Sequence, residues 1–103
     1  MNEMIVVTDE TFEREVLGEK GTVLVDFGAT WCGSCKMLKP IIEAIARENP
    51  DLKVAYVDID ASPRTVQRLG VRAAPTLVVF RGGEKHAVHV GAVPKSHVLK
   101  MLA

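Results

Sequence analysis

Residues 22–36 of the chain read TVLVDFGATWCGSCK and join two different hydrophobic patterns. The first part, TVLVDF, is a nearly continuous β-branched and apolar run, which is typical of a strand buried on both faces of a sheet. From residue 35 to residue 47 the apolar residues recur at helical spacing instead. The two cysteines of the chain, Cys32 and Cys35, therefore lie where a buried strand is followed by a helix.

The other segments continue this alternation of strands and helices. We predict strands in MIVV and LKVAYVDID, and helices in DETFEREVLG and SPRTVQRLG, capped by Thr8 or Asp9 and by Ser62, respectively. TLVVF and HAVHV then form a hairpin across RGGEK, and PKSHVLKMLA forms a final helix. The order β-α-β-α-β-α-β-β-α indicates a single α/β domain over residues 1–103, with a parallel core and an antiparallel hairpin.

Composition and charge argue against several classes of protein. Thirteen lysines and arginines balance thirteen aspartates and glutamates, and the basic residues fall in ones and twos, so we expect no nucleic-acid partner. No segment approaches the roughly 18 apolar residues of a membrane span. The amino terminus also lacks the basic and apolar regions of a signal peptide. We therefore expect no membrane association and a cytoplasmic location, where thiols are kept reduced.

The Cys-x-x-Cys spacing has three physical interpretations: a redox dithiol, half of a zinc site, or a structural disulfide. Zinc needs two further ligands, and His86 and His89, an odd number of residues apart on a predicted strand, point to opposite faces. A disulfide across so short a loop constrains the unfolded chain very little. At a helix start, unpaired N–H groups and the helix dipole favour a thiolate, which is the nucleophile in disulfide exchange. The pattern favours redox chemistry, with Cys32 more exposed and electropositive and Cys35 deeper, close enough to form a disulfide with it.

Several motifs in matching order make the sequence similar to the thioredoxin family nearly end to end. These motifs are DF, WCG-CK, the helix proline Pro40, APT before the fourth strand and VGA after the fifth. The resemblance implies the thioredoxin fold, a central mixed β-sheet flanked by helices on both faces, and the activity of a protein-disulfide reductase. It also implies that Cys32 attacks the substrate disulfide, that Cys35 resolves the mixed disulfide, and that a partner like thioredoxin reductase recharges the pair. No motif for flavin, nicotinamide or metal binding is present, so we expect no cofactor.

By the same resemblance, Asp26 is a catalytic carboxylate that is buried and exchanges protons with Cys35. From composition alone, an aspartate in this strand would more often face solvent. The family often carries a lysine on the third strand near this aspartate, and this chain has Tyr56 there. We therefore expect Asp26 to lack a cationic partner, to accept a hydrogen bond from the Tyr56 hydroxyl, and to be more strongly protonated at neutral pH.

The resemblance implies a flat substrate-binding platform beside the dithiol. Pro75 would follow a cis peptide bond, although an X–Pro bond is cis only about 5–6% of the time in folded proteins. The backbone of Ala74 would pair with an extended substrate peptide, and its small side chain predicts a shallow groove. Trp31, which would shield the thiols and form part of the contact surface, and four small residues would complete the platform: Gly33, Ala73, Gly91 and Ala92.

Residues close to the cysteines are expected to tune the redox potential, together with Tyr56. Ser34 stands where the family most often has proline, so it restores an N–H donor and adds a hydroxyl near Cys32. Lys36 adds positive charge. Gly28 stands where the family usually has an aromatic residue, which predicts looser packing behind the active-site loop. The direction in which these residues move the potential stays open at this point.

Two alternatives to a reductase also stay open. If Ser34 raises the potential enough, the same fold would act as an oxidant or a disulfide isomerase. A non-redox module would instead use the platform around Trp31 and Pro75 to bind a peptide, and would keep its function when both cysteines are replaced by serine. We expect the protein to be a monomer.

Overall fold

The computed structural model describes residues 2–103 and contains the nine elements that the sequence predicts, in the predicted order. The strands are β1 (Met4–Val6), β2 (Thr22–Gly28), β3 (Lys53–Asp58), β4 (Thr76–Arg81) and β5 (Glu84–Val90). The helices are α1 (Gly33–Glu48), α2 (Pro63–Leu69) and α3 (Lys95–Met101). The first predicted helix is a short π-helical segment, Glu13–Leu17, between β1 and β2.

The five strands form one mixed sheet in the order β1-β3-β2-β4-β5. β1, β3 and β2 are parallel, β4 runs antiparallel to β2, and β5 runs antiparallel to β4. This arrangement confirms the parallel core and the antiparallel hairpin. At the hairpin, Gly82 and Gly83 have φ angles of 58° and 83°, the left-handed conformation that two-residue turns between twisted strands require.

Both faces of the sheet are covered, which confirms the predicted layers. Leu24 of β2 packs with Leu38 and Ile42 of α1 and with Val98 of α3 on one face. On the other face Val23, Val25 and Phe27 of β2 pack with residues of the π-helical segment and the region of α2. Every residue of β2 after Thr22 is buried, as its continuous apolar pattern predicts.

The predicted helix caps are only partly correct. Neither Thr8 nor Asp9 caps the π-helical segment. The Asp9 carboxylate instead caps α2, accepting hydrogen bonds from the backbone N–H of Arg64 at 3.1 Å and from the N–H and hydroxyl of Thr65 at 2.8 and 2.7 Å. Ser62 does stand at the N-cap position of α2, but its buried hydroxyl has no hydrogen-bond partner in the described part of the chain. A carboxylate brought from a distant part of the chain has taken over the capping role.

None of the helices within residues 2–103 is long and apolar enough to cross a bilayer.

Candidate active site

The two cysteines lie at the amino end of α1, directly after β2 and its connecting loop. Cys32 is the N-cap residue in an extended conformation, and a disulfide joins it to Cys35, with the two Cα atoms 5.3 Å apart. The backbone N–H of Cys35 donates a hydrogen bond to Sγ of Cys32 at 3.2 Å, and Oγ of Ser34 lies 3.5 Å from the same sulfur. The Cys32 sulfur thus occupies the position of a capping side chain, where helix N–H groups favour an anion.

The exposures of the two cysteines differ from the prediction. Each residue is 5% exposed in the disulfide form, so the expectation that Cys32 is the more exposed of the two is wrong for this form. Ala29 packs against both, together with Ile59 and Ala74. The asymmetry between the two sulfurs lies in hydrogen bonding, because Sγ of Cys32 is the one that caps the helix.

A tight loop before β4 lies against Cys32. The peptide bond between Ala74 and Pro75 is cis, and the carbonyl oxygen of Ala74 is 3.5 Å from Sγ of Cys32. The loop is tied down on both sides, because the Thr76 hydroxyl donates to the Ala73 carbonyl at 2.7 Å and the Gly91 N–H donates to the Pro75 carbonyl at 2.8 Å. The structure therefore brings Ala73, Ala74, Pro75 and Gly91 together with the dithiol.

The other platform residues surround the cysteines less tightly. Trp31 is 67% exposed, and its indole N–H donates a hydrogen bond to the Asp60 carboxylate at 2.8 Å. Gly33 is exposed, and apart from its chain neighbours and the backbone of its own helix, no atom of the described residues lies within 4 Å of where its side chain would begin. Ala92 is exposed beside a shallow apolar depression that is also lined by Met37 and Ile41. Sequence reasoning missed Asp60 and Met37, and no motif in the sequence marks either residue.

Asp26 is completely buried on β2. It shares the face of Leu24, which α1 covers, and its Cα partners are Tyr56 on β3 and Leu77 on β4. Neither carboxyl oxygen has a hydrogen-bond partner within the described chain. Burial raises the pKa of Asp26 to about 7, against the opposing effect of the positive charge of Lys39. The expected hydrogen bond from the Tyr56 hydroxyl to Asp26 is therefore wrong. The Asp26 oxygens have no direct partner in residues 2–103, but the positive charge of Lys39 still lowers the pKa of the carboxyl group.

Gly28 and Tyr56 fit each other. A Cβ atom on Gly28 would lie 2.8 Å from Cε1 and 2.9 Å from the hydroxyl oxygen of Tyr56. The tyrosine side chain thus fills the space beside the glycine, and the expected looser packing at Gly28 is wrong. Nζ of Lys39 lies 5.3 Å from the centroid of the Tyr56 ring, within the range of a cation–π interaction. Burial, together with the charges of Asp58 and Asp26, raises the pKa of Tyr56, so its hydroxyl stays neutral at physiological pH.

Lys36 and the possible metal ligands lie outside this cluster. Lys36 is exposed in the first turn of α1, and its tuning role stays a prediction. Within residues 2–103, no group of three or more histidine, cysteine, aspartate or glutamate side chains is arranged to hold a metal ion.

Comparison with known proteins agrees with this geometry. The sequence profile of the family described as Thioredoxin matches residues 3–103. The chain belongs to the thioredoxin family. It is 45% identical over 104 residues to a thioredoxin from Pseudomonas aeruginosa, an alignment that covers 99% of this chain and 96% of that protein. It is 44% identical over 97 residues to thioredoxin 1 from Nostoc sp., covering 93% of this chain and 91% of the relative.

A thioredoxin from Allochromatium vinosum is 46% identical over 100 residues, covering 96% of this chain and 94% of its own length. The family relationship confirms the resemblance of the motifs and the predicted fold. Thioredoxins are oxidoreductases that act by thiol–disulfide exchange, and this chain carries the required disulfide between Cys32 and Cys35. It is a dithiol–disulfide oxidoreductase of the thioredoxin type.

Proposed function

We propose that this thioredoxin works as a reductant of protein disulfides, with Cys32 as the attacking thiolate and Cys35 as the resolving thiol. The observation that carries the proposal is the position of the Cys32 sulfur as the N-cap of α1, where it accepts the N–H of Cys35 at 3.2 Å. A hydrogen bond to the charged form lowers the proton affinity of a thiol, so the capping thiol is the one that ionises first.

The reaction has two exchange steps. In the first, the Cys32 thiolate attacks one sulfur of the substrate disulfide, a mixed disulfide forms, and the other substrate sulfur leaves as a thiolate that takes up a proton. In the second, the thiol of Cys35 loses its proton and attacks Sγ of Cys32, which releases the second substrate thiolate. Two electrons pass to the substrate, and the Cys32–Cys35 disulfide is left.

Asp26 is proposed to accept the proton of Cys35 in the second step. Both residues lie between β2 and α1, since Cys35 belongs to the buried face of the helix and Asp26 to the strand face that the helix covers. A carboxyl group with a pKa of about 7 is close to half ionised at neutral pH, so it can both take and return a proton. Its unpartnered oxygens leave it free to bind that proton.

We propose that substrates bind on the platform formed by Trp31, Gly33, Ala73, Ala74, Pro75, Gly91 and Ala92. The contact of Ala74 with Cys32 supports this, because an extended peptide that pairs with the Ala74 backbone would carry its cysteine to the Cys32 sulfur. The small side chains around the sulfur admit a peptide backbone closely. The large exposed face of Trp31 offers apolar contact area beside it.

The setting proposed for the activity is a cytoplasmic, monomeric protein with one domain over residues 1–103. Because a dithiol must be recharged after each turnover, the protein needs an electron donor. Thioredoxin family members are reduced by thioredoxin reductase, and we propose a reductase of this kind here. The even charge balance supports a role without nucleic acid.

The reduction potential of the Cys32–Cys35 pair, measured by equilibration with glutathione buffers, tests the proposal. Thioredoxin lies near −270 mV and protein disulfide isomerase near −180 mV. We expect a value closer to the former, together with reduction of a protein disulfide in a turbidity assay. A value near −180 mV would favour the oxidant or isomerase alternative. A variant with both cysteines replaced by serine gives a further test. If this variant keeps its full function by binding a partner, the binding-module alternative would be favoured.

A further inference from the structure

We propose that Lys39 is a positioning residue that supplies the positive charge felt by Asp26, and that the ring of Tyr56 holds the lysine in place beside Gly28. The inference rests on the proposed proton-transfer role of Asp26 and names the residues that adjust it.

The location of Lys39 is favourable for this role. It lies one helical turn after Cys35 on α1, so the two side chains are neighbours on the helix surface. The preceding residue, Leu38, is buried in the core beneath α1, whereas Lys39 is exposed. Lys39 thus stands at the edge of the face that covers Asp26, where its charge stays hydrated and its stem can reach along the buried surface.

The ring of Tyr56 determines where that charge comes to rest. Tyr56 is the Cα partner of Asp26 on β3, and Nζ of Lys39 lies 5.3 Å from the centroid of its ring. The ring in turn occupies its position because Gly28 has no side chain, since a Cβ there would come within 3 Å of two ring-system atoms. Gly28, Tyr56 and Lys39 therefore act as one unit around the carboxyl group.

The surrounding charges leave this role to Lys39. Among the described residues, the charges that act on Asp26 or on its neighbour Tyr56 are those of Lys39 on α1 and Asp58 on β3. Cys35 also belongs to the buried face of α1, and Tyr56 is the Cα partner of Asp26 on β3. The partner of Asp26 on β4, Leu77, is apolar. Lys39 is the positive charge in this set. Since a charge acts strongly across a poorly solvated region, it favours the ionised carboxylate that must accept the proton of Cys35.

The first experiment is a titration of the Asp26 carboxyl carbon by NMR in the oxidised protein. Lys39→Met should move the titration midpoint to higher pH by at least roughly half a unit, because the ionised form loses its favourable charge. Lys39→Arg should keep the midpoint close to that of the parent protein. Lys20→Met is the matched control, since this exposed lysine precedes the opposite end of β2, roughly 20 Å away along the strand. Equal midpoints in Lys39→Met and Lys20→Met would overturn the role of Lys39.

The second experiment tests the role of the Tyr56 ring. It measures how far Lys39→Met moves the Asp26 titration midpoint when Lys39→Met is combined with each of three other substitutions. In Tyr56→Phe, which keeps the ring, the shift should be unchanged. In Tyr56→Leu, and in Gly28→Ala, where the added methyl displaces the ring, it should fall to less than half. Each shift is taken between two proteins that share the same second substitution, which removes the separate effect of altered hydration at Asp26. If either Tyr56→Leu or Gly28→Ala fails to fold, the other is sufficient. Equal shifts in all backgrounds would overturn the role of Tyr56.

A pH–rate profile separates this inference from the proposed function. If Asp26 accepts the proton of Cys35, the ascending limb of disulfide reduction should move to higher pH in Lys39→Met, in parallel with the NMR midpoint. A shifted midpoint with an unshifted rate profile would support the charge of Lys39 and overturn the proton-transfer role of Asp26.

Discussion

The end of β2 and the start of α1 carry two proton-binding groups whose surroundings act in opposite ways. The Cys32 sulfur accepts a helix N–H and lies beside the Ser34 hydroxyl, so its surroundings favour the anion. Asp26 is completely buried, and neither of its oxygens has a hydrogen-bond partner among residues 2–103, so its surroundings favour the neutral acid. One short segment therefore holds a sulfur whose surroundings favour an anion and a carboxyl group whose surroundings favour the neutral acid. This separation suits a nucleophile and a base that must work at the same pH.

Removing the nucleophile is the largest change and tests the assignment of the two sulfurs. Cys32→Ser should abolish disulfide reduction, because the attacking thiolate is lost. Cys35→Ser should instead accumulate a mixed disulfide between Cys32 and the substrate, detectable by mass spectrometry of the unreduced protein. A mixed disulfide that accumulates on Cys35 in the Cys32→Ser variant, with none on Cys32 in the Cys35→Ser variant, would show that the roles are reversed.

Asp26→Asn tests the raised proton affinity of Asp26 through the free energy of unfolding. The folded-state pKa of about 7 lies above the ordinary value of 3.8, so the unfolded chain releases its proton first as the pH rises. Asp26 therefore makes the protein progressively less stable between about pH 4 and pH 7, after which the loss levels off, at roughly 4 kcal/mol in total. Denaturant unfolding should show Asp26→Asn to be more stable than the parent protein at pH 8 and nearly equal at pH 3.

The pH dependence of that difference is the informative result. A constant stability difference from pH 3 to pH 8 would mean that Asp26 does not titrate in the folded protein as burial requires. In the same variant we expect the second exchange step to slow by roughly 10-fold or more, since the base is absent. Rapid mixing of the reduced protein with a disulfide substrate would measure this step.

Ser34→Ala tests whether the Ser34 hydroxyl stabilises the Cys32 thiolate. Loss of the hydroxyl removes a hydrogen-bond donor to the thiolate and should make the dithiol more strongly reducing. One hydrogen bond of about 1 kcal/mol corresponds to a reduction potential lower by about 20 mV for a two-electron couple. Equilibration with glutathione buffers measures the shift, and an unchanged or higher potential would show that Ser34 does not stabilise the thiolate.

The smallest expected effect concerns the platform beside both groups. Asp60→Ala removes the hydrogen bond that holds the Trp31 indole, so the ring loses a fixed orientation towards substrate. An exposed hydrogen bond worth roughly 0.5 kcal/mol predicts a KM about 2-fold higher for a protein substrate, with little change in kcat. Asp51→Ala, an exposed aspartate before β3, serves as the control. A lower kcat with unchanged KM would place Asp60 in the chemistry instead of in substrate binding.

Much of the Cys32 side could be predicted because its interactions are local. A buried strand followed by Cys-x-x-Cys and a helical pattern places the first cysteine at the helix start, and Cys32 meets Cys35 within one turn. The Asp26 side could not be predicted in the same way. Lys39 has no signal beyond an exposed position on α1, and the mutual fit of Gly28 and Tyr56 joins two strands. Gly28 and Tyr56, taken one at a time, each resembled a departure from the family that weakens the site.

The sequence by itself determined the order of the elements, the two-sided burial of β2 and the position of the dithiol, because hydrophobic periodicity and helix-start chemistry act over a few neighbouring residues. Only the tertiary structure decided that Asp9 caps α2, that Asp60 holds Trp31, and that Lys39 rests on Tyr56 near Asp26. Those contacts join residues far apart in the chain. Periodicity predicts which face a side chain occupies, whereas the packing of strands and helices decides which partner it meets there.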